Sequence, residues 1–176
     1  MQGTISLREP SARDGAEVWR LARRAGRLDV NTPYCYLMMC DLFRSSCVVA
    51  EAGDGRIAGF LSALVLPERP DTLFIWQAAV DPDHRGKGVG KSMLAELVNR
   101  SYLVPIRYVE ATVSPSNTAS RRMFQSFAAE RLAGCSYAEG GYARELFPEA
   151  GHEDEPLIRI GPLPDLQANR WEGFGE

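Results

Sequence analysis

Apolar positions along the chain change period several times, and the changes mark out its elements. "TISLREP" alternates Ile5 and Leu7 with polar neighbours and predicts a first strand. Ser11 with Asp14 three residues on has the form of a capping box, and Ala16, Trp19, Leu21 and Ala22 follow at helical spacing. Thr32 followed by Pro33 reads as an N-cap and first helical residue, opening "YCYLMMCDLF". "SCVVAEAGDGRIAGFLSALVLP" is two apolar runs joined by "GDGR", a hairpin signal because Asp-Gly supplies the positive φ angles of a tight turn. "DTLFIWQAAVD" predicts the next strand, so three antiparallel strands are expected ahead of the glycines of "DPDHRGKGVGKSML". Val89, Met93, Leu94 and Leu97 then recur as one helical face. "IRYVEATV" predicts a strand and "SNTASRRMFQSFAAE" a helix capped by Ser116 or Asn117. Short strands are expected around Ser136 and Leu157, with a loose or partner-dependent tail beyond Pro162. No internal repeat interrupts this order. The expected organisation is one domain over 1–163 and a tail over 164–176.

Bulk properties narrow the class. The 176 residues, 45% hydrophobic and 24% charged, suit one soluble globular domain with its own core. No run is long enough to span a bilayer, and "MQGTISLREP" carries no secretory pattern, so a cytoplasmic location and no membrane partner are expected. A net charge of −3, without a long basic run, argues against nucleic acid as the partner. Cys35, Cys40, Cys47 and Cys135 match no common zinc spacing, and neither His84 nor His152 accompanies a pair of them. They read as reduced core thiols, and no metal is expected.

The glycines at 86, 88 and 90 pose the functional question. A Walker A loop needs four residues between its first glycine and Gly-Lys-Ser, and here Gly86 comes too late. A dinucleotide fingerprint fails as well, because the glycines fall as Gly-x-Gly-x-Gly and the preceding strands read as hairpins. What remains is a helix N-terminus whose amides can hold an anion, with Arg85, Lys87 and Lys91 nearby, or else a plain glycine-rich turn.

"RGKGVG" after a strand ending "VDPDHR" resembles the pyrophosphate loop of the GNAT N-acetyltransferases. The resemblance covers most of the chain, and the stretches "LDVNTPYCYLMMC", "ERPDTLFIWQAAVDPDHRGKGVGKSML", "VEATVSPSNTASRRMF" and "ELFPEAGHEDEPLIRIGPL" are similar to the narrower group that acetylates L-2,4-diaminobutyrate in ectoine biosynthesis. It implies an α/β (α+β) GNAT fold: a central mixed, mostly antiparallel twisted sheet with splayed middle strands and flanking helices. It implies acetyl-CoA as co-substrate, held by Arg85, Gly86, Lys87, Gly88, Val89, Gly90 and Lys91, by the backbone of Ala78, Ala79 and Val80, and by Asn117. It also implies a homodimer, for which "PLIRIGPLP" is a possible contact. Two alternatives stay open: acetylation of another amine, such as a polyamine, an amino sugar or a protein N-terminus, and a non-catalytic acetyl-CoA-binding module.

The acceptor would carry two ammonium groups and a carboxylate, and only a neutral amine attacks a thioester, so its site needs acidic groups and a proton acceptor. The resemblance carries Asp29, Trp76 and Glu155 over to that role, with Tyr34 and His152 as neighbours. Each has a plainer reading: Asp29 as a helix cap, Trp76 as a core aromatic, "HEDE" at 152–155 as a solvated acidic turn. Glu110 is a rival base if it faces the cleft. The wider family's thiolate-protonating tyrosine falls seven residues after the Asn, where this chain has Phe124, so no general acid is assigned. The expected chemistry is direct attack in a ternary complex with Glu155 taking the proton, a backbone amide near Ala79 facing the oxyanion, and no cysteine nucleophile.

Overall fold

The computed structural model describes residues 4–26, 28–100, 105–148 and 150–164. The chain divides into two compact units, one of residues 1–64 and 75–100, the other of 65–74 and 101–176.

In the first unit β1 (Ile5–Arg8), β2 (Cys47–Ala52), β3 (Ile57–Leu66) and the second half of β4 (Arg69–Val80) are neighbours in that order, with β1–β2 and β2–β3 antiparallel. The "GDGR" turn closes as expected: the Gly55 amide donates to the Ala52 carbonyl at 2.8 Å with Gly55 at φ +82°. Helix α1 (Gly15–Ala25) buries Val18, Leu21 and Ala22, spaced three and four apart, against Tyr36, Cys40, Val49, Phe60 and Ala79. Trp19 lies at the rim of this core under the Arg23 guanidinium, 4.7 Å from its centroid, while Ala16, expected on the apolar face, is exposed. Helix α1 is preceded by a 3-10 turn at Ala12–Asp14, where the Asp14 carboxylate accepts the Ser11 amide (2.7 Å) and two bonds from Arg8 (2.8 and 2.9 Å).

Helix α2 (Pro33–Asp41) begins after Thr32 with proline at its first turn, although the Thr32 side chain makes no cap. It approaches α1 closely at Gly15, where a Cβ would lie 2.9 Å from the Leu37 Cα. Helix α3 (Val89–Val98) buries the predicted Val89, Met93, Leu94 and Leu97.

In the second unit the first half of β4 is followed across the sheet by β5 (Tyr108–Thr112), β7 (Glu155–Ile160) and β6 (Cys135–Tyr142), with β5–β7 and β6–β7 antiparallel. Helix α4 (Thr118–Glu130) buries Phe124, Phe127 and Ala128. Among the described residues, seven strands in one sheet with flanking helices make this the α/β sheet architecture expected.

Two expectations change. "PLIRIGPLP" is β7 and the turn after it; as the strand between β5 and β6 it buries Ile158, Ile160 and Leu163 in its own chain, so those side chains are not a contact surface. The Leu163 amide donates to the Arg107 carbonyl at 2.7 Å, and the tail expected over 164–176 lies, from residue 165 on, outside the described part. All four cysteines are free, but only Cys40 and Cys47 are buried, whereas Cys35 is half-buried and Cys135 is exposed on β6.

Candidate active site

In the first unit the second half of β4 leads through a 3-10 turn (Pro82–His84) into the glycine loop and α3. Asp81 shapes the turn: its carboxylate accepts the Asp83 amide (3.1 Å) and its own amide donates to the Ala58 carbonyl (2.8 Å). Gly86 and Gly88 take φ of +73° and +77°, and an added Cβ at either would meet nothing within 4 Å, so the space over the loop is open. Gly88 is the N-cap of α3 and has no side chain with which to cap. The Ser92 amide donates to the Gly88 carbonyl at 2.9 Å, and the amides of Val89 and Gly90 lie ahead of that bond at the helix N-terminus. With the helix dipole behind them, these amides suit a diphosphate, and the residues present fit the coenzyme the loop pattern implies.

The cations beside the loop behave less simply than their positions suggest. Arg85 donates to the Val80 carbonyl (3.1 Å) and the Ala25 carbonyl (3.1 Å), fastening the loop to the ends of β4 and α1. Lys87 folds back on the Asp83 carbonyl at 2.8 Å. Both hold the loop's shape.

Alternation along β4 places Gln77 and Ala79 inward, with Trp76, Ala78 and Val80 half-buried between them. Trp76 is therefore not a fully buried core aromatic. Ala79 joins the core packed by α1 and α2. On that same side Gln77, 7% exposed, donates from Nε2 to the Asp29 carbonyl at 2.8 Å, and its buried Oε1 finds no hydrogen-bond partner. The Asn31 side chain donates to that carbonyl at 3.3 Å, and the Asn31 amide donates to the Tyr36 hydroxyl at 3.3 Å. Thus the Asp29–Asn31 segment is fixed through its backbone, whatever its carboxylate does. Burial raises the Tyr36 phenol above its ordinary pKa, which keeps it protonated. Tyr34, at the start of α2, is 73% exposed.

In the second unit Asn117 caps α4, its Oδ1 accepting the Ser120 amide at 3.2 Å. Glu155 is the first residue of β7, opposite Tyr142 of β6. Gly141 makes this possible: it sits at φ +90°, and a Cβ there would run into the Glu155 carbonyl and come within 2.8 Å of the Leu157 amide nitrogen. The rest of "HEDE" is not a free acidic turn. Glu153 accepts the Ser116 amide (3.1 Å), Asp154 accepts the Arg144 amide (2.9 Å), and the His152 ring stacks on Phe147 at 3.6 Å with 7° between planes. These residues line an open hollow of about 770 Å³ that also includes Pro115, Arg144 and Gly151.

Glu110 is excluded as a base by its surroundings. It is 1% exposed, both oxygens are gripped by Arg69 (2.6 and 2.8 Å), and Arg159, which stacks over Tyr108, donates to Oε1 as well. Its oxygens already accept three charge-assisted bonds and face no open space, so an acceptor amine cannot reach them. The carboxylate in turn raises the Arg69 guanidinium pKa through the hydrogen bonds they share. Phe124 is 3% exposed in the core face of α4, so a tyrosine there would need a buried partner for its hydroxyl.

Sequence reasoning did not single out Gln77, Gly141 or Phe147. A glutamine inside an apolar strand was the available signal for the first; the other two act through contacts that no local pattern marks. Among the described residues no group of three or more His, Cys, Asp or Glu side chains could hold a metal ion, and no helix is long and apolar enough to cross a membrane.

Residues 16–128 match the acetyltransferase (GNAT) family profile. The chain is 44% identical over 160 residues to an L-2,4-diaminobutyric acid acetyltransferase of Halalkalibacterium halodurans, covering 91% of this chain and 83% of that one. It is 43% identical over 155 residues to the enzyme of the same name from Virgibacillus pantothenticus, covering 88% and 96%. Among solved structures, it matches a diaminobutyrate acetyltransferase from Paenibacillus lautus in complex with L-2,4-diaminobutyric acid and coenzyme A at a TM-score of 0.86 and 46% identity, over 91% and 96% of the two chains. Ard1 from Thermoplasma volcanium, at 19% identity and a TM-score of 0.74 over 93% and 100%, shares the fold alone.

Proposed function

Because the chain belongs to the GNAT acetyltransferase family, we propose that it transfers the acetyl group of acetyl-CoA to the γ-amine of L-2,4-diaminobutyrate, the acetylation step of ectoine biosynthesis and of the osmotic-stress response it serves. The observation that carries this reading is the 44% identity over 83% of the length of a relative named for that activity, joined to an open, uncapped glycine loop at the start of α3. Acetyl-CoA, when bound, supplies an activated acyl group as a thioester.

The chain's own residues divide the remaining work. The amides at 86–91 and Asn117 hold the coenzyme, with the backbone of Ala78, Ala79 and Val80 along its arm. Arg85 and Lys87 keep the loop in the shape that exposes those amides. A backbone amide near Ala79 donates to the developing oxyanion, a contribution that is often the largest in acyl transfer. Asp29 holds the ammonium that does not react, Trp76, Tyr34 and His152 bound the acceptor, and Glu155 takes the proton from the attacking amine. The reading includes a homodimer, tested by light scattering, and a cytoplasmic location.

The test is CoA thiol release with diaminobutyrate, ornithine, lysine and spermidine side by side, the acetylated nitrogen located by NMR. Preference for diaminobutyrate with acetylation at the γ-nitrogen is expected. Turnover of another amine would overturn the acceptor assignment, and tight coenzyme binding without turnover would replace the enzyme by a binding module.

A further inference from the structure

The segment from Ala143 to Glu155 is fastened at one end by backbone pairing in the sheet and at the other by a side chain that the transfer chemistry does not itself require. Its C-terminal end is fixed where Glu155 enters β7 opposite Tyr142. Its N-terminal end is fixed where Asp154 accepts the Arg144 amide, just ahead of the 3-10 turn Arg144–Leu146 that delivers Phe147. Between them lies His152, stacked on Phe147, with Nδ1 2.7 Å from the Glu153 carbonyl oxygen. A carbonyl can only accept, so Nδ1 carries the hydrogen of this bond. The ring's plane is thus set by this segment.

Near its C-terminal end the segment is tied to the rest of the unit by Glu153, whose Oε2 accepts the Ser116 amide at 3.1 Å. Ser116 precedes Asn117 in a turn closed by the Asn117 amide on the Ser114 carbonyl at 3.0 Å, and Asn117 caps α4. We propose that Glu153 is a positioning residue of the acceptor site, holding His152 and Glu155 in register with the turn that carries Asn117. This rests on the reading that His152 and Glu155 serve the acceptor. Glu153 itself touches no reacting atom. Its bond is exposed to water, so its loss affects the placement of the segment more than the stability of the fold.

The experiment compares Glu153→Ala and Glu153→Gln, with His152→Ala and Glu155→Gln in parallel, by steady-state kinetics and thermal melting. For Glu153→Ala the expected change is a rise in acceptor KM of roughly three- to ten-fold, the scale of one exposed hydrogen bond to a charged group. The acetyl-CoA KM is expected to stay within about two-fold and the melting temperature within about 2 °C, because the fold loses little. Glu153→Gln keeps an oxygen for the Ser116 amide and restores the acceptor KM. A wild-type acceptor KM in Glu153→Ala, or a Glu153→Gln variant as impaired as the alanine one, overturns the proposal. Equal rises in both KM values with a lowered melting temperature also overturn it, since they signal a merely structural role. If His152→Ala and Glu155→Gln leave the acceptor KM untouched, the site reading itself fails, a result separate from any outcome at Glu153.

Discussion

Replacing Glu110 by glutamine separates a structural carboxylate from a catalytic one. The side chain is 1% exposed and accepts three charge-assisted hydrogen bonds, two from Arg69 and one from Arg159. Glutamine fills the same volume and keeps Oε1 as an acceptor, but it turns the second oxygen into an amide that faces Arg69 Nη2 donor to donor. One ionic bond is lost and two are weakened. Each such bond is worth about 1.5–3 kcal/mol, and since the Arg69 side chain is 46% exposed and can turn to water, the loss falls to about 2–4 kcal/mol in total. For a chain of 176 residues that lowers Tm by roughly 5–15 °C. The assay is thermal melting beside kcat and its pH profile, all turnover being measured well below the lowered Tm. The expected result is a lowered Tm with kcat and the acid limb of the profile unchanged. A variant that melts like the wild type but loses turnover would refute the argument and return Glu110 to the role of base.

Three further outcomes follow from the same geometry. Arg8 holds the Asp14 carboxyl below the usual carboxylate range, so its contribution to stability is complete above the unfolded pKa and is lost as pH falls through the lower folded value. Asp14→Asn should therefore be less stable by about 1–3 kcal/mol at pH 7, and urea melts should show the gap closing below about pH 4. Gly141→Ala combines a φ of +90° with a clash on the Glu155 carbonyl; it should cost about 2–4 kcal/mol and raise the acceptor KM. Gly140→Ala, strained at φ +115° but with its Cβ 3.4 Å from Leu157, should do less to that KM, and equal kinetics for the two would refute the placement of Glu155 by Gly141. Native alkylation followed by mass spectrometry should label exposed Cys135 and spare Cys40, whose thiol burial pushes up to about 12, and Cys47, raised for the same reason. Labelled enzyme should turn over normally, and an acetylated cysteine accumulating during turnover would refute direct transfer.

What the sequence disclosed, and what it hid, follows from how far apart the interacting residues lie. Val89, Met93, Leu94 and Leu97 share one side of a helix because of their spacing, so the face of α3 is legible without any partner in view. The loop ahead of α3 is legible for a related reason: Gly86 and Gly88 sit where φ is positive, and the apolar period resuming at Val89 fixes where the helix begins. Glu110 looked available for catalysis because alternation leaves open which side of β5 it takes, and the arginines that neutralise it are 41 and 49 positions away. The run at 152–155 shows the same limit within four residues. Four polar letters in a row read as a solvated turn, yet Glu153 reaches an amide 37 positions back, Asp154 reaches one 10 positions back, and Glu155 pairs with Tyr142 in the sheet. Carboxylates that accept backbone amides carry no signature, because every residue but proline offers the same donor. The candidate residues were readable by type, whereas the bonds that orient them became visible only with the fold. That asymmetry is why the supporting contacts at Ser116 and Arg144, rather than further candidates for the base, are where structure adds most to the account of this site.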